Sequence, residues 1–344
     1  ANIDYYVSII KDCYIKRELY SAVEQVKTAV MSPACNAQDA LSTVERRLSE
    51  ITSSSYGSMY RPVKDLIIDL AEKLDAVYAK KTPPDYIDMP FKSISRYFDF
   101  TNGEYCIIAA RPSIGKTAFA LSLIYQLAIV NNVHVGLCSI EMSAQQLALR
   151  LIAHHCSLSP YGILRGYYAS QDHKQRIYDA MTTVGTAPII IDDTNAITLS
   201  SLVSKIRSMV KRDGCSIIFI DYIGLIDAEK PRLPRHEQIA EISRTMKALA
   251  KELHVPIVVL SQLTRDYEGK KPTLNSLAET RSIEQDADVV VFLHRDRLID
   301  NPDVTSVETE VIVAKNRNGP VGTATVLFLP KYAKFIDGDS IDKQ

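Results

Sequence analysis

The architecture of this chain follows from one octapeptide, Ala110-Arg111-Pro112-Ser113-Ile114-Gly115-Lys116-Thr117. The apolar run before it predicts a buried strand, and the residues after it predict a helix. A loop of this pattern between a strand and a helix is a P-loop, whose backbone N–H groups surround phosphates at the helix N-terminus. We therefore predict that residues 111–117 bind a nucleotide, with Lys116 on the β and γ phosphates and Thr117 on Mg²⁺.

Strands and helices alternate from about residue 100 onward. Two strands, 217–220 and 257–260, are apolar on both faces, which predicts a mainly parallel central sheet covered by helices on both sides. The last two strands lack a helix between them and are expected to extend the sheet in antiparallel fashion. The predicted strands are 105–110, 133–140, 188–192, 216–221, 256–262, 288–294, 308–315 and 323–329, and the predicted helices are 116–130, 144–156, 199–213 and 237–253. The fold class is α/β.

The first 80 residues have a different, helical pattern. Apolar residues recur at helical spacing in two segments of 1–55, which Ser32, Pro33 and Asn36 separate as a turn, so we predict a small α-helical hairpin. A separate amphipathic helix follows at 63–77, between a Ser-rich segment and Pro83-Pro84. Its apolar stripe needs a partner, which could be its own next domain or a neighbouring subunit.

Three polar side chains are expected at the carboxyl ends of the central strands, where open α/β sheets bind ligands. Asp221 ends a buried strand and is typical of the acid that holds Mg²⁺ beside a P-loop. Glu141 could activate the water that attacks the γ-phosphate, or it could simply complement the dipole of the next helix. Gln262 could sense the γ-phosphate, or it could be a surface amide.

Two cations, Lys315 and Arg317, precede a turn at Asn318-Gly319-Pro320. Alternate residues of a strand point to the same side, so these side chains share a face. They would suit a γ-phosphate in the next subunit, as an arginine finger does. A solvated basic turn is the alternative.

Composition limits the class of protein. The chain has 344 residues, 40 basic and 41 acidic residues and a net charge of −1, which excludes binding of polyanions by bulk charge. Six scattered cysteines without a C-x-x-C pair indicate reduced thiols in a cytoplasmic protein. No apolar run reaches the roughly 18 residues of a membrane span. Because the chain begins without Met, we expect a fragment that lacks its true N-terminus.

The order of the motifs resembles that of the bacterial and phage DnaB-type replicative DNA helicases, over about residues 91–336. The motifs are the octapeptide, Ser139-Ile140-Glu141-Met142, Ile220-Asp221-Tyr222, Leu260-Ser261-Gln262-Leu263, Ser282-Ile283-Glu284-Gln285-Asp286-Ala287-Asp288 and Lys315-Asn316-Arg317-Asn318-Gly319-Pro320. The resemblance implies a RecA-like ATPase domain in a homohexameric ring around single-stranded DNA. It also implies Glu141 as catalytic base, Gln262 as sensor, and Lys315 and Arg317 as the pair that reaches the neighbour's site.

The same resemblance implies the domain organisation. Residues 1–58 resemble the helical end of an N-terminal collar domain, 59–90 a linker helix and linker that dock on the adjacent subunit, and 91–344 the ATPase domain. DNA contacts are expected from two segments, 228–237 and 264–283. Their candidate residues are Lys230, Arg232, Arg235, Arg265, Lys270, Lys271, Glu279 and Arg281. The second segment reads Ala278-Glu279-Thr280-Arg281 where the family commonly has Arg-Glu-Ser-Gly, and each cation could instead be merely solvated.

We therefore expect an ATP- and Mg²⁺-dependent hexameric helicase that moves on single-stranded DNA and unwinds forked duplexes in the cytoplasm, with primase and a helicase loader as partners. Two alternatives are a RecA-like recombination or repair ATPase and a nucleotide-switched ring without unwinding activity. The linker helix argues against the first, and the two basic segments argue against the second. A ring encloses its DNA, so a few cations per subunit can replace a strongly basic surface.

Overall fold

The computed structural model describes residues 3–31, 41–42, 44–47, 63–79, 85–195, 197–226, 234–263, 271–274, 276, 281–295 and 304–338. The chain divides into two compact units, Ala1–Pro83 and Pro84–Gln344. The first unit contains helix α1 (Ile3–Val30) and helix α2 (Val63–Tyr78), and residues 41–42 and 44–47 are also helical. The predicted turn at 32–36 lies outside the described residues, so the hairpin stays a prediction. No helix in the described part of the chain has the length and apolar character to cross a membrane.

The second unit is built on a nine-stranded sheet and a separate two-stranded one. The strands are β1 (Tyr86–Ile87), β2 (Phe100–Thr101), β3 (Tyr105–Ala110), β4 (Val135–Ser139), β5 (Ile189–Asp192), β6 (Ile217–Asp221), β7 (Ile257–Gln262), β8 (Val289–His294), β9 (Val307–Asn316), β10 (Gly322–Leu329) and β11 (Lys334–Asp337). The order in the large sheet is β11-β10-β9-β8-β3-β7-β6-β4-β5, and β1 pairs with β2. The neighbouring strands β8, β3, β7, β6, β4 and β5 run parallel to one another. At the β8 side of the sheet, β9, β10 and β11 are added in antiparallel fashion.

The described α-helices of this unit lie between β1 and β8 in the chain. They are α3 (Lys92–Ser95), α4 (Lys116–Ile124), α5 (Ala144–Cys156), α6 (Pro160–Leu164), α7 (Gln171–Thr186), α8 (Leu199–Lys211), α9 (Arg235–Leu253) and α10 (Arg281–Asp286). The chain after α4 continues as a π-helical segment, Tyr125–Val130. Helix α5 begins where its sequence predicts, because Ser143 and Gln146 form a reciprocal capping box.

The core explains why the central strands are apolar throughout. Cys106, Ile108 and Ala110 of β3 belong to one buried cluster, whereas Tyr105, Ile107 and Ala109 belong to a second. Since successive side chains of a strand point to opposite faces, both faces of the sheet are covered. The α/β fold with a mainly parallel sheet is confirmed.

The structure also contains elements that the sequence did not predict. Helix α7 has a largely polar sequence, in which Ile177, Ala180, Met181 and Val184 form a narrow apolar stripe and Ala180 is buried. Strand β11 has four residues and forms a hairpin with β10, in which Leu329 pairs with Lys334. The antiparallel addition to the sheet therefore has three strands instead of the expected two.

Candidate functional site

The loop between β3 and α4 has the backbone shape that a phosphate cradle needs. Ser113 has φ 65° and Gly115, the N-cap of α4, has φ 104°. Positive φ favours glycine, and a Cβ on Gly115 would also lie 3.3 Å from a ring carbon of Phe335. This turn lets the free N–H groups at the start of α4 converge, and such groups attract anions.

Lys116, Thr117 and Asp221 meet at the end of this loop. The Asp221 carboxylate is 2% exposed; its Oδ2 accepts a hydrogen bond of 2.7 Å from Thr117 Oγ1. Its Oδ1 lies 3.3 Å from Lys116 Nζ, and that ammonium lies 4.3 Å from the centre of the Tyr222 ring. The carboxylate is thus neutralised by the lysine that is predicted to bind phosphate.

The oxygen atoms of Thr117 and Asp221 also suit a magnesium ion. Hydroxyl and carboxylate oxygens are its preferred protein ligands, and Mg²⁺ usually takes one or two of them together with water and phosphate. Asp221 Oδ1 accepts no hydrogen bond from the described residues, so it retains capacity for a ligand. Among the residues that the structure describes, no group of three or more His, Cys, Asp or Glu side chains could hold a metal ion by itself.

The register of the sheet places the other two residues predicted for catalysis, Gln262 and Glu141, at the same edge as Asp221. Gln262 pairs with Ala110 across β7 and β3, and Ser139 pairs with Asp221 across β4 and β6. Glu141 follows β4 in a turn and is exposed, as is Gln262. Because α5 begins at Ala144, Glu141 lies outside the first turn of that helix, which weakens the interpretation that it only complements the helix dipole.

Electrostatics identify Arg150 as a member of this edge that sequence reasoning missed. Burial lowers the pKa of the Arg150 guanidinium, and the charges of Asp221 and Glu141 oppose that change. Burial also raises the pKa of the Tyr222 phenol, and Glu141 and Asp221 raise it further. The sequence signal that could have pointed to Arg150 is a charged residue between Leu147 and Leu151, two of the buried positions of α5.

A second missed residue, Arg295, lies directly beneath the phosphate loop. Its guanidinium is 4% exposed, and Nη2 donates hydrogen bonds to the carbonyl oxygens of Ile114 at 2.9 Å and Ser113 at 3.3 Å. The guanidinium lies 4.9 Å from the centre of the Phe328 ring, and Arg111 donates to the Arg295 carbonyl at 3.0 Å. Burial lowers the pKa of Arg295. The sequence signal that could have pointed to Arg295 is its position immediately after an apolar strand.

Lys315 and Arg317 lie at the opposite edge of the sheet. Lys315 pairs with Val290, and Cys106 near the start of β3 pairs with Val289. The phosphate loop begins at the far end of β3, which at about 3.3 Å per residue is roughly 15 Å away. The two cations are therefore separated from the phosphate loop of their own chain.

The two segments predicted to contact DNA are described only in part. Arg235 donates hydrogen bonds to the carbonyls of Gly224 (2.7 Å) and Ile226 (3.3 Å), and Lys271 donates to Glu310 at 2.6 Å. Both side chains remain exposed. Lys230, Arg232, Arg265, Lys270 and Glu279 lie outside the described residues, as does the side chain of Arg281, whose backbone begins α10.

The chain is similar to several known proteins. Residues 88–337 match the family model of the DnaB-like helicase C terminal domain. The replicative DNA helicase DnaB of Geobacillus stearothermophilus is 32% identical over 342 residues, which cover 98% of this chain and 75% of the relative.

Two solved structures are similar as well. A solved ATPase domain superposes with a TM-score of 0.71 and 32% identity, covering 80% of this chain and 98% of that one. A DnaB-like replicative helicase, described with its interactions with primase, gives a TM-score of 0.78 and 28% identity, covering 98% of this chain and 79% of that one. The likeness to this helicase therefore extends over nearly the whole chain.

Proposed function

Because this chain belongs to the DnaB-like family of replicative DNA helicases, which are ATP-driven DNA-unwinding enzymes, we propose that it works as a ring in which each ATP site is completed by a neighbouring subunit. One observation carries the proposal. The predicted phosphate-binding and hydrolytic residues share the carboxyl edge of the sheet, whereas Lys315 and Arg317 lie at the opposite edge. A second copy of the chain can bring the two edges together.

ATP binds at the loop of Arg111, Pro112, Ser113, Ile114, Gly115, Lys116 and Thr117 in this proposal. The backbone N–H groups at the start of α4 hold the β-phosphate, and Lys116 exchanges its contact with Asp221 for the β and γ phosphates. Thr117 and Asp221 would hold Mg²⁺, which when bound neutralises charge on the phosphate oxygens. The buried Oδ1 of Asp221, with its free capacity to accept, supports this assignment.

Hydrolysis then depends on two exposed side chains at the strand ends. Glu141 orients the attacking water and accepts its proton, as a general base does. Gln262 is adjacent to Ala110, so its amide is well placed to respond to the γ-phosphate and to shift the segment that follows it. That segment begins at Thr264 and is one of the two predicted to contact DNA.

Lys315 and Arg317 stabilise the developing charge in the neighbouring site. An arginine finger supplied by a second subunit contributes about 10³ to 10⁵ in kcat in other nucleotide hydrolases. Ring assembly is supported by α2, whose apolar stripe is exposed in this chain, Leu66 at 46%, Ile67 at 58% and Leu70 at 54%. We propose that this stripe docks on the adjacent subunit of a homohexamer.

Single-stranded and forked DNA are the proposed substrates. Arg232, Arg235, Lys270, Lys271, Glu279 and Arg281 are the candidate contacts, with backbone N–H groups as further phosphate donors. Primase is a proposed partner because the similar helicase structure is described with its interactions with primase. A helicase loader and a cytoplasmic location belong to the same proposal. Neither the recombination ATPase nor the nucleotide-switched ring is favoured by the family match.

Strand displacement on a forked duplex tests the proposal. The protein should hydrolyse ATP faster when single-stranded DNA is present and should displace the paired strand. Glu141→Gln should bind ATP but lose activity by about 10²- to 10⁴-fold, because the general base is absent. An ATPase that DNA does not stimulate and that displaces no strand would contradict the helicase mechanism.

A further inference from the structure

Asp288 lies in the short link between α10 and β8, where groups from three other segments share its carboxylate. The residue is 4% exposed. Oδ2 accepts a hydrogen bond of 2.8 Å from the backbone N–H of Tyr105 and also pairs with Lys247 Nζ. Oδ1 lies 3.4 Å from Nη1 of Arg317. One buried negative charge thus faces two cations.

The main chain repeats the connection between Asp288 and Arg317. The Arg317 N–H donates to the Asp288 carbonyl at 3.0 Å, and the Asp288 N–H donates to the carbonyl of Tyr105 at 2.9 Å. The first bond extends the β8–β9 ladder, in which Val289 pairs with Asn316, and the second extends the pairing of β3 with β8. The ladder fixes the backbone of Arg317, so the direction of its guanidinium depends on the side-chain contacts.

A second group of acceptors holds the same guanidinium. Arg317 Nη2 donates to the Gln285 carbonyl at 2.7 Å, and Lys315 Nζ donates to the Glu284 carbonyl at 2.5 Å. Both carbonyls lie in the last turn of α10, where helix carbonyls are partly negative. Arg317 nevertheless stays 46% exposed. Both terminal nitrogens of the guanidinium thus have acceptors in their own chain, while nearly half of the side chain stays accessible to a ligand.

We propose that Asp288 is a positioning residue for Arg317: together with the end of α10 it aims the guanidinium at the ATP site of the neighbouring subunit. This inference rests on the proposed trans role of Arg317. An arginine side chain has many rotamers, and ordering it before the subunits meet lowers the cost of organising the transition state. A carboxylate opposite Nη1 provides that order, and the exposed part of the side chain remains accessible to a ligand.

A simpler role for Asp288 is to neutralise the partly buried Lys247 and accept the Tyr105 N–H. That role concerns the stability of the subunit that carries Asp288. Positioning of Arg317, by contrast, concerns catalysis at the next subunit. The two roles therefore predict different behaviour when subunits with different defects are mixed.

The first measurement uses Asp288→Asn. The amide keeps the size of the side chain and can still accept the Tyr105 N–H, but it loses the charge that faces Arg317. We expect DNA-stimulated kcat to fall by on the order of tenfold or more while KM for ATP changes little. Wild-type kcat in a folded hexamer of this variant would overturn the proposal.

Mixed rings give the decisive readout. Asp288→Asn subunits mixed with Lys116→Ala subunits should recover ATPase activity, since intact phosphate loops of the first meet intact Arg317 side chains of the second. A mixture of Asp288→Asn and Arg317→Ala subunits should not recover ATPase activity. Both substitutions impair the arginine that a subunit supplies to its neighbour, so no interface in the mixture has an intact one. Recovery in this second mixture overturns the positioning role and leaves the trans role of Arg317 intact.

The mixture of Arg317→Ala with Lys116→Ala tests the premise separately. Its failure to recover would overturn the trans role of Arg317, and the positioning role with it. Lys247→Met is the matched control at the same buried site, because it keeps the Asp288–Arg317 pair and should keep DNA-stimulated kcat. If Asp288→Asn fails to fold, the double variant Lys247→Met/Asp288→Asn removes the unpaired buried cation and should still show the defect in mixed rings. A double variant with the kcat of Lys247→Met would overturn the proposal.

Discussion

The Arg295 guanidinium shows how one side chain can shape the phosphate loop without being part of its motif. It donates to the carbonyls of Ser113 and Ile114, and Phe328 covers it. Because Arg295 binds these carbonyls on one side of the loop, the N–H groups of the loop can face the nucleotide on the other side. Burial of the same guanidinium carries a desolvation cost, which its lowered pKa reflects.

Arg295→Met tests this bracing role. The substitution keeps an unbranched side chain, shorter than that of arginine, but removes the donors, and hydrogen bonds from charged donors contribute about 1.5–3 kcal/mol each. We expect KM for ATP to rise at least about tenfold with a smaller change in kcat, because nucleotide binding weakens in the ground and transition states alike. Steady-state ATPase assays measure both.

Arg165→Met is the matched control, since Arg165 is exposed and its guanidinium lies 5.4 Å from the Tyr161 ring centre. It should leave KM unchanged. An Arg295→Met protein with wild-type KM and wild-type thermal stability would show that the contacts do not organise the loop.

Helix α5 carries a buried histidine whose protonation would be unfavourable in the folded domain. His154 is 3% exposed, its ring centre lies 4.1 Å from that of Tyr125, and neither ring nitrogen has a hydrogen-bond partner among the described residues. Burial lowers the His154 pKa to about 3, and Lys334 and His155 contribute to that lowering. The neutral form is therefore the one that packs in the folded state.

Stability should consequently fall as pH drops below about 6.5, where the unfolded chain binds a proton that the folded chain excludes. The loss continues until pH nears 3 and amounts to at most about 1.4 kcal/mol per pH unit from this residue. His154→Phe keeps a ring against Tyr125 but cannot titrate. Between about pH 6.5 and 5 its free energy of unfolding should fall about 2 kcal/mol less than that of the wild type.

Urea unfolding followed by circular dichroism at the two pH values provides the measurement. His236→Gln serves as a control because His236 is exposed. Equal pH dependence of wild type and His154→Phe would contradict a buried neutral His154.

At the scale of the whole molecule, α2 presents an apolar stripe that its sequence predicts and that stays exposed in the chain. Leu70 and Leu74 are 54% and 41% exposed. Monomeric proteins seldom expose contiguous apolar patches of this kind, so the stripe indicates an interface. Burial of each leucine in a partner groove would contribute roughly 1.5–3 kcal/mol.

Leu70→Glu should weaken the hexamer, since a charge on the stripe cannot be buried without a large penalty. Native mass spectrometry over a concentration series should show smaller assemblies, and ATPase activity should become concentration-dependent. Glu72→Lys alters the opposite face of the helix and should leave assembly unchanged. Intact hexamers of Leu70→Glu at low concentration would argue against docking through this stripe.

The sequence by itself determined the local chemistry of the protein. Apolar runs such as Ile217-Ile218-Phe219-Ile220 predicted buried parallel strands, and the octapeptide at 110–117 predicted the phosphate loop, because period, turn and capping signals act within a few residues. The family resemblance was confirmed over residues 88–337. The elements that were not predicted are the largely polar helix α7 and short elements such as α6, α10 and β11, whose few residues carry little periodicity.

Tertiary structure decided how distant residues meet. The parallel order of β3, β7, β6 and β4 brings Gln262 beside Ala110 and Asp221 beside Thr117. Strand β9 runs antiparallel to β8, so Arg317, which follows β9, lies at the other edge of the sheet. Arg295 beneath the phosphate loop and Asp288 between Lys247 and Arg317 have no local pattern that pairs them with their partners. Such contacts join segments that are far apart in the chain or on different strands, and only packing of the whole sheet brings them within hydrogen-bond distance.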